Sequence, residues 1–549
     1  MIREEITNLF NLDKESPAYN EIENEKLYEL DSSIINSIDE ENFTSEILGI
    51  YRKFQPMKQD TPQSMKSDLL NTLRNLANTQ LEENKNIESL IIYRFLVVKS
   101  NLMPQDYINI AINLSKINYK DLADYFANLY DKKETNRPLA YLVLADLYKN
   151  LIKEYTKAIT YYEKFIEINS TKASVYNILA DLYSKAYADE KLEEQIKYYK
   201  KALELSPDNR LAMHGLAFCY EKLEYYDEAK KYYELLIHNN PSKTDFYNYG
   251  LFLIHSGNFV LGHKYIKNRF ELDNINLEYP SDKNKKWDFE TNITDKTLLV
   301  HYEQGFGDTI MYCRFLPQLK KFAKKIIFVV QKELHDLIKN SPIISDGIEL
   351  QTSENNIEYD YNMALLDIPY ALKTTIDTIT HTNKYLQIDN KKIQDYKEKY
   401  INNNPKIKIG IAYSGDKKAN YSNRDIDINK FNSILNLPNT EFYYLQKEQI
   451  TDNRLINLGK YFHDFSDTAC AICNMDMVIS TDNVILNLAG ALGVKTIGLL
   501  NKNTNYRWFK TKGENIGWYN SVKPLQAKVQ NDWDEVFLDL INEIKNLSN

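Results

Sequence analysis

The chain has 549 residues, of which 43% are hydrophobic, and a formal net charge of −9. So long a chain exceeds what one hydrophobic core usually serves, and we expect about two to four domains. The acidic balance argues against a nucleic-acid partner. No apolar run is long enough for a transmembrane segment or a secretory leader, and four cysteines do not make a disulfide scaffold. We therefore expect a soluble, cytoplasmic protein.

The first predicted elements are helices in an acidic, irregular N-terminal region, residues 1–87. Residues 88–272 then repeat a pair of helices. The motif LADLY occurs twice, and paired tyrosines recur in phase with it. A small residue at the same place in each unit would let neighbouring helices approach closely, and these positions are Ala145, Ala180, Ala217 and Gly250.

The repeating pattern resembles the tetratricopeptide repeat. The resemblance implies an all-α superhelix over 88–272 with a concave surface. Grooves of such repeats commonly bind extended peptide, so the resemblance also implies a protein or peptide partner. The tyrosines of the repeats are interpreted as packing residues, since repeat interiors are built from such side chains.

Beyond the repeats the pattern changes to strands that alternate with helices, which is typical of a parallel α/β sheet. Strands are predicted at 297–302, 325–330, 361–368, 407–413, 441–446, 475–481 and 496–500. A polar stretch divides this region, so we predict two α/β halves across a cleft, with an amphipathic closing helix that crosses between them. The predicted segments are a linker over 273–296, a first half over 297–390, a second half over 404–525 and the closing helix over 531–549.

The stretch TLLVHYEQGFGDTIMYCRF (297–315) passes from a strand to a helix through two glycines and a carboxylate. Gly305 and Gly307 would let the backbone turn tightly. Asp308 would project from the start of the helix into the cleft, where ligands of open α/β sheets bind. On spacing alone, an ordinary turn with Asp308 as a helix cap is an equal interpretation.

A second candidate site lies in MVISTDNVILNLAGALGVKTIGLL. The strand ends at Ser480, Thr481 and Asp482, and a helix follows directly. The free N–H groups and the positive dipole end of that helix suit a diphosphate. Thr481 and Asp482 could equally be ordinary caps.

Six ordered blocks carry a wider resemblance: HYEQGFGDTIMYCRFLPQL, GIAYSGDKKANYSNRDIDINKF, YYLQKE, DFSDTACAI, MVISTDNVILNLAGALG and YRWF. They resemble the C-terminal region of bacterial proteins that join tetratricopeptide repeats to a GT-B glycosyltransferase domain. More distantly they are similar to lipopolysaccharide heptosyltransferases and to repeat-bearing O-linked N-acetylglucosamine transferases. The resemblance implies a GT-B fold of two Rossmann-like halves that transfers a sugar from a nucleotide-sugar donor, with inversion at the anomeric carbon.

The resemblance also implies roles for particular residues. Asp308 matches the proposed general base, which would take the proton of the acceptor hydroxyl. Lys447 would stabilise the diphosphate leaving group, so that no metal or other cofactor is needed. The positions implied to bind the donor are Gly305, Gly307, Ser414, Gly415, Arg424, Gln446, Lys447, Ser480, Thr481, Asp482, Asn483 and Asn487.

Three positions depart from the family pattern. Asn483 stands where the family usually has threonine, Asn487 where it has histidine, and Asp425 where it has serine. An asparagine at 487 can donate a hydrogen bond to phosphate but cannot carry charge. These departures leave donor binding in place and put the rate, or the identity of the donor, in question.

Three functions follow from these observations. The favoured one is a glycosyltransferase that acts on a protein, such as flagellin or another surface component, recruited by the repeats. A lipopolysaccharide or other saccharide acceptor is the second, and a non-catalytic scaffold with a degenerate donor domain is the third. The pair CAIC (470–473) is interpreted as buried helical cysteines rather than as a zinc or redox site, since no second pair accompanies it.

Overall fold

The computed structural model describes residues 22, 24–37, 63–99, 102–272, 279, 281–345, 347–379, 384–415, 424–448, 450, 452–509 and 517–547. Parts of the predicted N-terminal region (1–21 and 38–62), of the predicted linker (273–278) and of the GIAYSGDKKANYSNRDIDINKF block (416–423) lie outside the described residues. The chain forms two compact units, Met1–Cys219 and Tyr220–Asn549.

The first unit is built of helices that pack as successive pairs. Pro104 and Pro138 each occupy the first turn of a helix, where a missing N–H costs nothing. Ala145 and Ala180 are fully buried, as the small positions of the repeat require. The helices are α1 (Asn24–Ser37), α2 (Gln63–Glu82), α3 (Asn86–Lys99), α4 (Pro104–Lys116), α5 (Lys120–Lys133), α6 (Arg137–Leu147), α7 (Tyr155–Ile168), α8 (Ala173–Tyr187), α9 (Leu192–Leu205) and α10 (Arg210–Lys222).

The second unit starts with more helices of the same kind, α11 (Tyr226–His238), α12 (Lys243–His255) and α13 (Phe259–Ile266). Helices α12 and α13 lie so close that a Cβ atom at Gly250 would be 3.0 Å from the carbonyl oxygen of Gly262. This contact explains why a glycine takes the small position of that repeat. The prediction of an all-α repeat region is confirmed.

A four-stranded parallel sheet follows and forms what we call the first lobe. Its strands are β1 (Thr297–His301), β2 (Lys325–Val329), β3 (Ile348–Gln351) and β4 (Tyr361–Ala364), in the order β3-β2-β1-β4. Helix α14 (Phe306–Tyr312) lies between β1 and β2, α15 (Lys332–Lys339) lies between β2 and β3, and α16 (Ile368–Leu372) follows β4. Trp287, in the predicted linker, is buried and its backbone N–H donates to the carbonyl of Asn362 on β4.

The second lobe contains a six-stranded parallel sheet in the order β10-β9-β8-β5-β6-β7. Its strands are β5 (Ile407–Ala412), β6 (Thr440–Tyr444), β7 (Leu455–Asn457), β8 (Met477–Thr481), β9 (Thr496–Leu500) and β10 (Val522–Gln526). Its helices are α17 (Asn390–Tyr400), α18 (Asn432–Leu435), α19 (Phe465–Cys473), α20 (Val484–Ala491) and α21 (Asp534–Lys545). The predicted fold class, all-α repeats followed by two parallel α/β sheets, is confirmed.

Two apolar cores hold the second unit together. The larger one joins Phe259 of α13, Leu298 of β1 and Leu488 of α20, so it runs from the last repeat helices through both lobes. The smaller one covers the other face of the second sheet. Helix α21 packs in that smaller core, where Phe537 contacts Phe431 edge-on. The prediction that the closing helix crosses between the lobes is therefore wrong.

None of the helices in the described part of the chain is both long enough and apolar enough to cross a membrane.

Candidate functional site

Both sheets have a topological switch point, at which the connections that leave two neighbouring strands run in opposite directions along the sheet. In the first lobe it lies between β1 and β4, and in the second between β5 and β8. Ligands of open parallel sheets bind at the carboxyl ends of such strands. Ser414 and Gly415 follow β5, and Ser480 to Asn483 end β8 or follow it. These predicted site residues therefore lie at the switch point of the second lobe.

The glycine loop after β1 brings the two lobes into contact. Gln304 adopts the left-handed conformation, with φ of 59°, and helix α14 begins directly after Gly305. A Cβ atom at Gly307 would lie 3.2 Å from Nδ2 of Asn487 on α20. Gly307 thus permits the close packing of α14 against the first turn of α20. Asp308 follows on the same turn and is half-buried.

Asp308 is paired with an arginine that the sequence reasoning did not single out. Its Oδ1 lies 2.6 Å from Nε of Arg507, and both side chains are 14% exposed. The Nη2 group of Arg507 donates to Oε1 of Gln304 at 2.7 Å. Burial opposes the charge of this guanidinium, but Asp308 raises its pKa above the ordinary value. The signal that could have found Arg507 is its place in YRWF, after the carboxyl end of β9.

A second carboxylate and a second arginine lie at the end of β8. Oδ2 of Asp482 is 3.1 Å from Nε of Arg424. Burial raises the pKa of the Asp482 carboxyl, whereas Arg424 and, more weakly, Arg507 act in the opposite direction. Asp308 also contributes to the field at Asp482. The structure therefore pairs Asp482 with the predicted Arg424, as it pairs Asp308 with Arg507, and the charges of Arg507 and Asp308 both act on Asp482.

Gln446 holds the backbone at the end of β5. Its Oε1 accepts from the N–H groups of Tyr413 at 2.8 Å and of Ser414 at 3.1 Å, and its Nε2 donates to the carbonyl of Ser414 at 2.7 Å. The N–H of Gly415 donates to Oδ1 of Asp425 at 2.7 Å. The side chain of Gln446 thus shapes the loop, and Asp425 has a structural partner where the family pattern has serine.

Asn483 caps helix α20. Its Oδ1 accepts from the N–H groups of Ile485 at 2.8 Å and of Leu486 at 3.4 Å, and from the hydroxyl of Ser480 at 3.0 Å. Its Nδ2 donates to the carbonyl of Ser414 at 3.2 Å. Two of the N–H groups that were expected to be free for a diphosphate are therefore bonded to the cap.

Asn487 and Lys447 occupy very different surroundings. Asn487 is buried, accepts from the hydroxyl of Tyr519 at 2.8 Å and donates to the carbonyl of Asn483 at 3.2 Å. Lys447 follows β6, is exposed, and has its Nζ 3.4 Å from the carbonyl of His463. The asparagine is engaged within the fold, whereas the lysine can move towards a ligand.

A buried ion cluster anchors the start of the glycine loop. The guanidinium of Arg269 donates to both carboxylate oxygens of Glu303 and, at 2.6 Å, to Oδ1 of Asp367. Glu303 also accepts from the N–H of Leu366 at 3.0 Å. All three charged side chains are buried. Burial alone would lower the pKa of Arg269, but the two carboxylates raise it. Sequence reasoning missed this cluster, although Glu303 lies in the quoted loop.

A cavity of about 550 Å³ lies elsewhere on the second lobe, between β10 and α21. Its lining includes Lys523, Lys528, Glu535 and Glu543, and none of the predicted site residues. Lys523 is paired with Glu543 and Lys528 with Glu535. The cavity is therefore a cleft between solvated ion pairs.

Sequence profiles of the tetratricopeptide repeat match residues 139–172 and 186–248. The helical region carries tetratricopeptide repeats. The chain is also similar to protein FlbA of Caulobacter vibrioides, with 23% identity over 378 residues. That match covers 62% of this chain and 62% of FlbA, so it spans less than two thirds of the relative's length.

Two solved structures are similar to parts of this chain. A glycosyl transferase of family 9 from Veillonella parvula is 12% identical, with a TM-score of 0.34, over 46% of this chain and 91% of its own. The C-terminal part of a tetratricopeptide repeat-containing protein from Cytophaga hutchinsonii is 19% identical, with a TM-score of 0.34, over 47% of this chain and 97% of its own.

Proposed function

We propose that this protein is a glycosyltransferase that moves a sugar from a nucleotide-sugar donor to a hydroxyl group of an acceptor. One observation supports this most directly. The carboxylate of Asp308, from the first lobe, lies within 2.6 Å of Arg507, whose charge in turn acts on Asp482 at the switch point of the second lobe. A base from one lobe and anion-binding groups from the other are what this reaction needs.

In the proposed reaction the acceptor oxygen attacks the anomeric carbon as the bond from that carbon to the diphosphate breaks. Asp308 takes the proton of the acceptor hydroxyl. The nucleoside diphosphate leaves with the bonding electrons, and Lys447, Arg424 and Arg507 stabilise its charge. A single displacement of this kind inverts the anomeric centre. Because cations of the chain neutralise the diphosphate, we expect transfer to continue in the presence of a metal chelator.

The acceptor we favour is a protein, such as flagellin or another surface component, held by the tetratricopeptide repeats. The repeats support this choice because grooves of this kind suit an extended polypeptide. A lipopolysaccharide core or another saccharide is the alternative acceptor within the same reaction class.

The test is thermal stabilisation by a panel of nucleoside diphosphates and nucleotide-sugars, followed by a transfer assay. A ligand at a hundred times its Kd should add about 2.7 kcal/mol to the free energy of unfolding. The stabilising nucleotide-sugar should then add its sugar mass to one component of an acceptor extract. If no member of the panel stabilises the protein, the proposed donor site is wrong.

One observation favours a non-catalytic scaffold as the second candidate. Asn487 stands where the family has histidine, and its amide is bonded to Tyr519 and Asn483. A scaffold would bind a nucleotide-sugar without releasing or transferring the sugar to any acceptor extract. Intact-mass comparison of acceptor proteins from cells with and without this protein separates the two candidates.

A further inference from the structure

The proposed base is not free in this structure, since its carboxylate is covered by Arg507. We propose that Arg507 changes partners when the donor binds. Its guanidinium moves from Asp308 to the donor diphosphate, and the carboxylate of Asp308 then becomes accessible to the acceptor hydroxyl. This inference rests on the proposed function and adds to it an arginine that both binds the donor and controls the base.

The contacts of Arg507 suit an exchange of this kind. Its Nη2 and Nη1 groups donate to the neutral oxygens of Gln304 at 2.7 Å and of Asn505 at 3.0 Å. Its Nε lies 2.6 Å from Asp308, yet the Nε–H has no aligned hydrogen-bond partner among the described residues. The pair with Asp308 is thus a close contact of charges without a directed hydrogen bond, and a bidentate phosphate contact would be stronger.

The position of Arg507 points to the same exchange. Its side chain is 14% exposed, and the residue belongs to the segment that follows β9 of the second lobe. Besides Asp308, the carboxylate of Asp482 at the end of β8 raises the pKa of Arg507, so the charge of this guanidinium acts on both carboxylates. In the proposed exchange the guanidinium leaves the carboxylate of the first lobe for a diphosphate bound at the second.

The charge balance of the site gives a reason for the exchange. Two carboxylates, Asp308 and Asp482, face two guanidinium groups, Arg424 and Arg507, in two ion pairs. The four groups are neutral as a set, so they offer no net attraction to a diphosphate. An arginine of the set can pair with the diphosphate only if it leaves its carboxylate, and when Arg507 does so the released Asp308 becomes the base. Donor binding therefore precedes activation of the acceptor.

The experiment titrates the full chain with inorganic pyrophosphate by calorimetry. Arg507→Gln should weaken binding about tenfold or more, since a charge-assisted contact is lost. Asp308→Asn should tighten binding by about three- to tenfold, since the arginine no longer has to leave a carboxylate. With Arg507→Gln in the same chain, Asp308→Asn should tighten binding less, because no arginine then remains to be released. Arg454→Gln and Asp452→Asn alter an ion pair just before β7, 2.6 Å apart, and should leave the affinity unchanged.

The outcomes separate the inference from the proposed function. If the unaltered protein binds neither pyrophosphate nor any nucleoside diphosphate, the proposed donor site is wrong, and the inference falls with it. If it binds and Asp308→Asn does not tighten the affinity, the partner exchange is wrong while the donor site stands. Should Arg507→Gln fail to fold by circular dichroism, Asp308→Asn alone decides, because asparagine keeps the shape of the aspartate.

Discussion

At the scale of single residues, the chemistry of the site depends on which charges a carboxylate meets. Asp308 contacts Arg507 directly, while Asp482 contacts Arg424. The two carboxylates therefore lie at the same junction with different partners. Of the two carboxylates only Asp308 comes from the first lobe, whereas most of the predicted donor residues lie on the second, and this supports its role as the base rather than as a donor contact.

We expect Asp308→Asn to lower the rate of sugar transfer by about 10²–10⁴-fold, because an amide cannot take the acceptor proton. Donor affinity should not fall, since the substitution removes a negative charge near the diphosphate. Turnover under saturating donor and the donor Kd together check this prediction. Asp452→Asn, on the surface near β7, is the matched control. A normal rate in the Asp308 variant would remove this residue from the base role.

A second residue-scale feature is the buried histidine on α13. His263 is 1% exposed and packs against Phe259 and Tyr312, with ring centroids 5.8 and 6.2 Å away. Neither ring nitrogen has a hydrogen-bond partner among the described residues. Burial, aided by Arg269, lowers the pKa of His263 to about 3. Burial likewise lowers the pKa of His301 to about 4.

These lowered pKa values predict acid sensitivity. The unfolded chain takes up protons below a pKa of about 6.5 while the folded imidazole stays neutral, so stability falls as the pH drops from about 6.5 towards 3. At pH 5 the loss is about 2 kcal/mol for each histidine. His263→Phe should therefore reduce the difference in unfolding free energy between pH 7 and pH 5 by about 2 kcal/mol.

Urea unfolding at the two pH values measures this difference. His263→Phe should cost little at pH 7, because it removes two unpaired nitrogens and keeps an aromatic ring among aromatic neighbours. His238→Gln, which replaces an exposed histidine at the end of α11, serves as the control for the substitution itself. An unchanged pH dependence in the Phe variant would contradict the assignment of acid sensitivity to His263.

At the scale of elements, a buried ion cluster joins the segment after α13 to the first sheet. Arg269 follows α13, Glu303 follows β1 and Asp367 follows β4. The cluster therefore connects the last repeat helix to the switch point of the first lobe and to the glycine loop. Burial raises the pKa of the Asp367 carboxyl, against the effect of Arg269.

Removing the cation of this cluster should destabilise the fold strongly. Arg269→Met leaves two buried carboxylates without a counter-ion, and we expect a loss of about 3–5 kcal/mol in unfolding free energy. Adding Glu303→Gln and Asp367→Asn to the same chain should recover part of it, since no buried charge then remains. Denaturant unfolding measures both. Arg454→Met, at a surface pair, should cost less than about 1 kcal/mol, and an equal cost at the two sites would contradict this account.

At the scale of the whole molecule, the last repeat helices belong to the same compact unit as the α/β lobes. The unit begins at Tyr220, about fifty residues before the predicted end of the repeats at 272. Ile254, Phe259 and Ile266 lie in the core that also contains Leu298 and Trp518. The last repeat helices and the lobes of this unit are thus joined by a shared apolar core as well as by the ion cluster.

This arrangement predicts the outcome of truncation. A chain that starts at Arg210 keeps α10 and the whole second unit, and it should unfold in a single cooperative thermal transition. A chain that starts at Asp273 loses Phe259, Ile266 and Arg269, so apolar surface and two buried carboxylates are exposed. We expect that chain to aggregate or to melt at least about 10 °C lower, since several kcal/mol of stability are lost. Equal melting temperatures would contradict the shared core.

Much of the fold could be predicted from the sequence because its signals are local. The in-phase small residues and tyrosines predicted the repeats, and long apolar runs predicted strands such as β1, β2 and β8. The sequence did not reveal β3, β7 or β10, because these strands carry half-buried polar residues such as Glu349, Asn457 and Lys523, and β3 and β7 are also short. A strand of this kind is recognised only by the neighbour it pairs with.

The candidate site, like the fold, could be predicted from the sequence only in part. The sequence by itself determined Asp308 in a glycine loop and the polar residues that end β8, since both follow recognisable strands. Only the tertiary structure decided which side chains these residues contact. Arg507 is 203 residues from Gln304 along the chain, yet its guanidinium donates a hydrogen bond to the Gln304 side chain. Packing of α14 on α20 brings these segments together, and the partner of a charge follows from that packing rather than from its position in the chain.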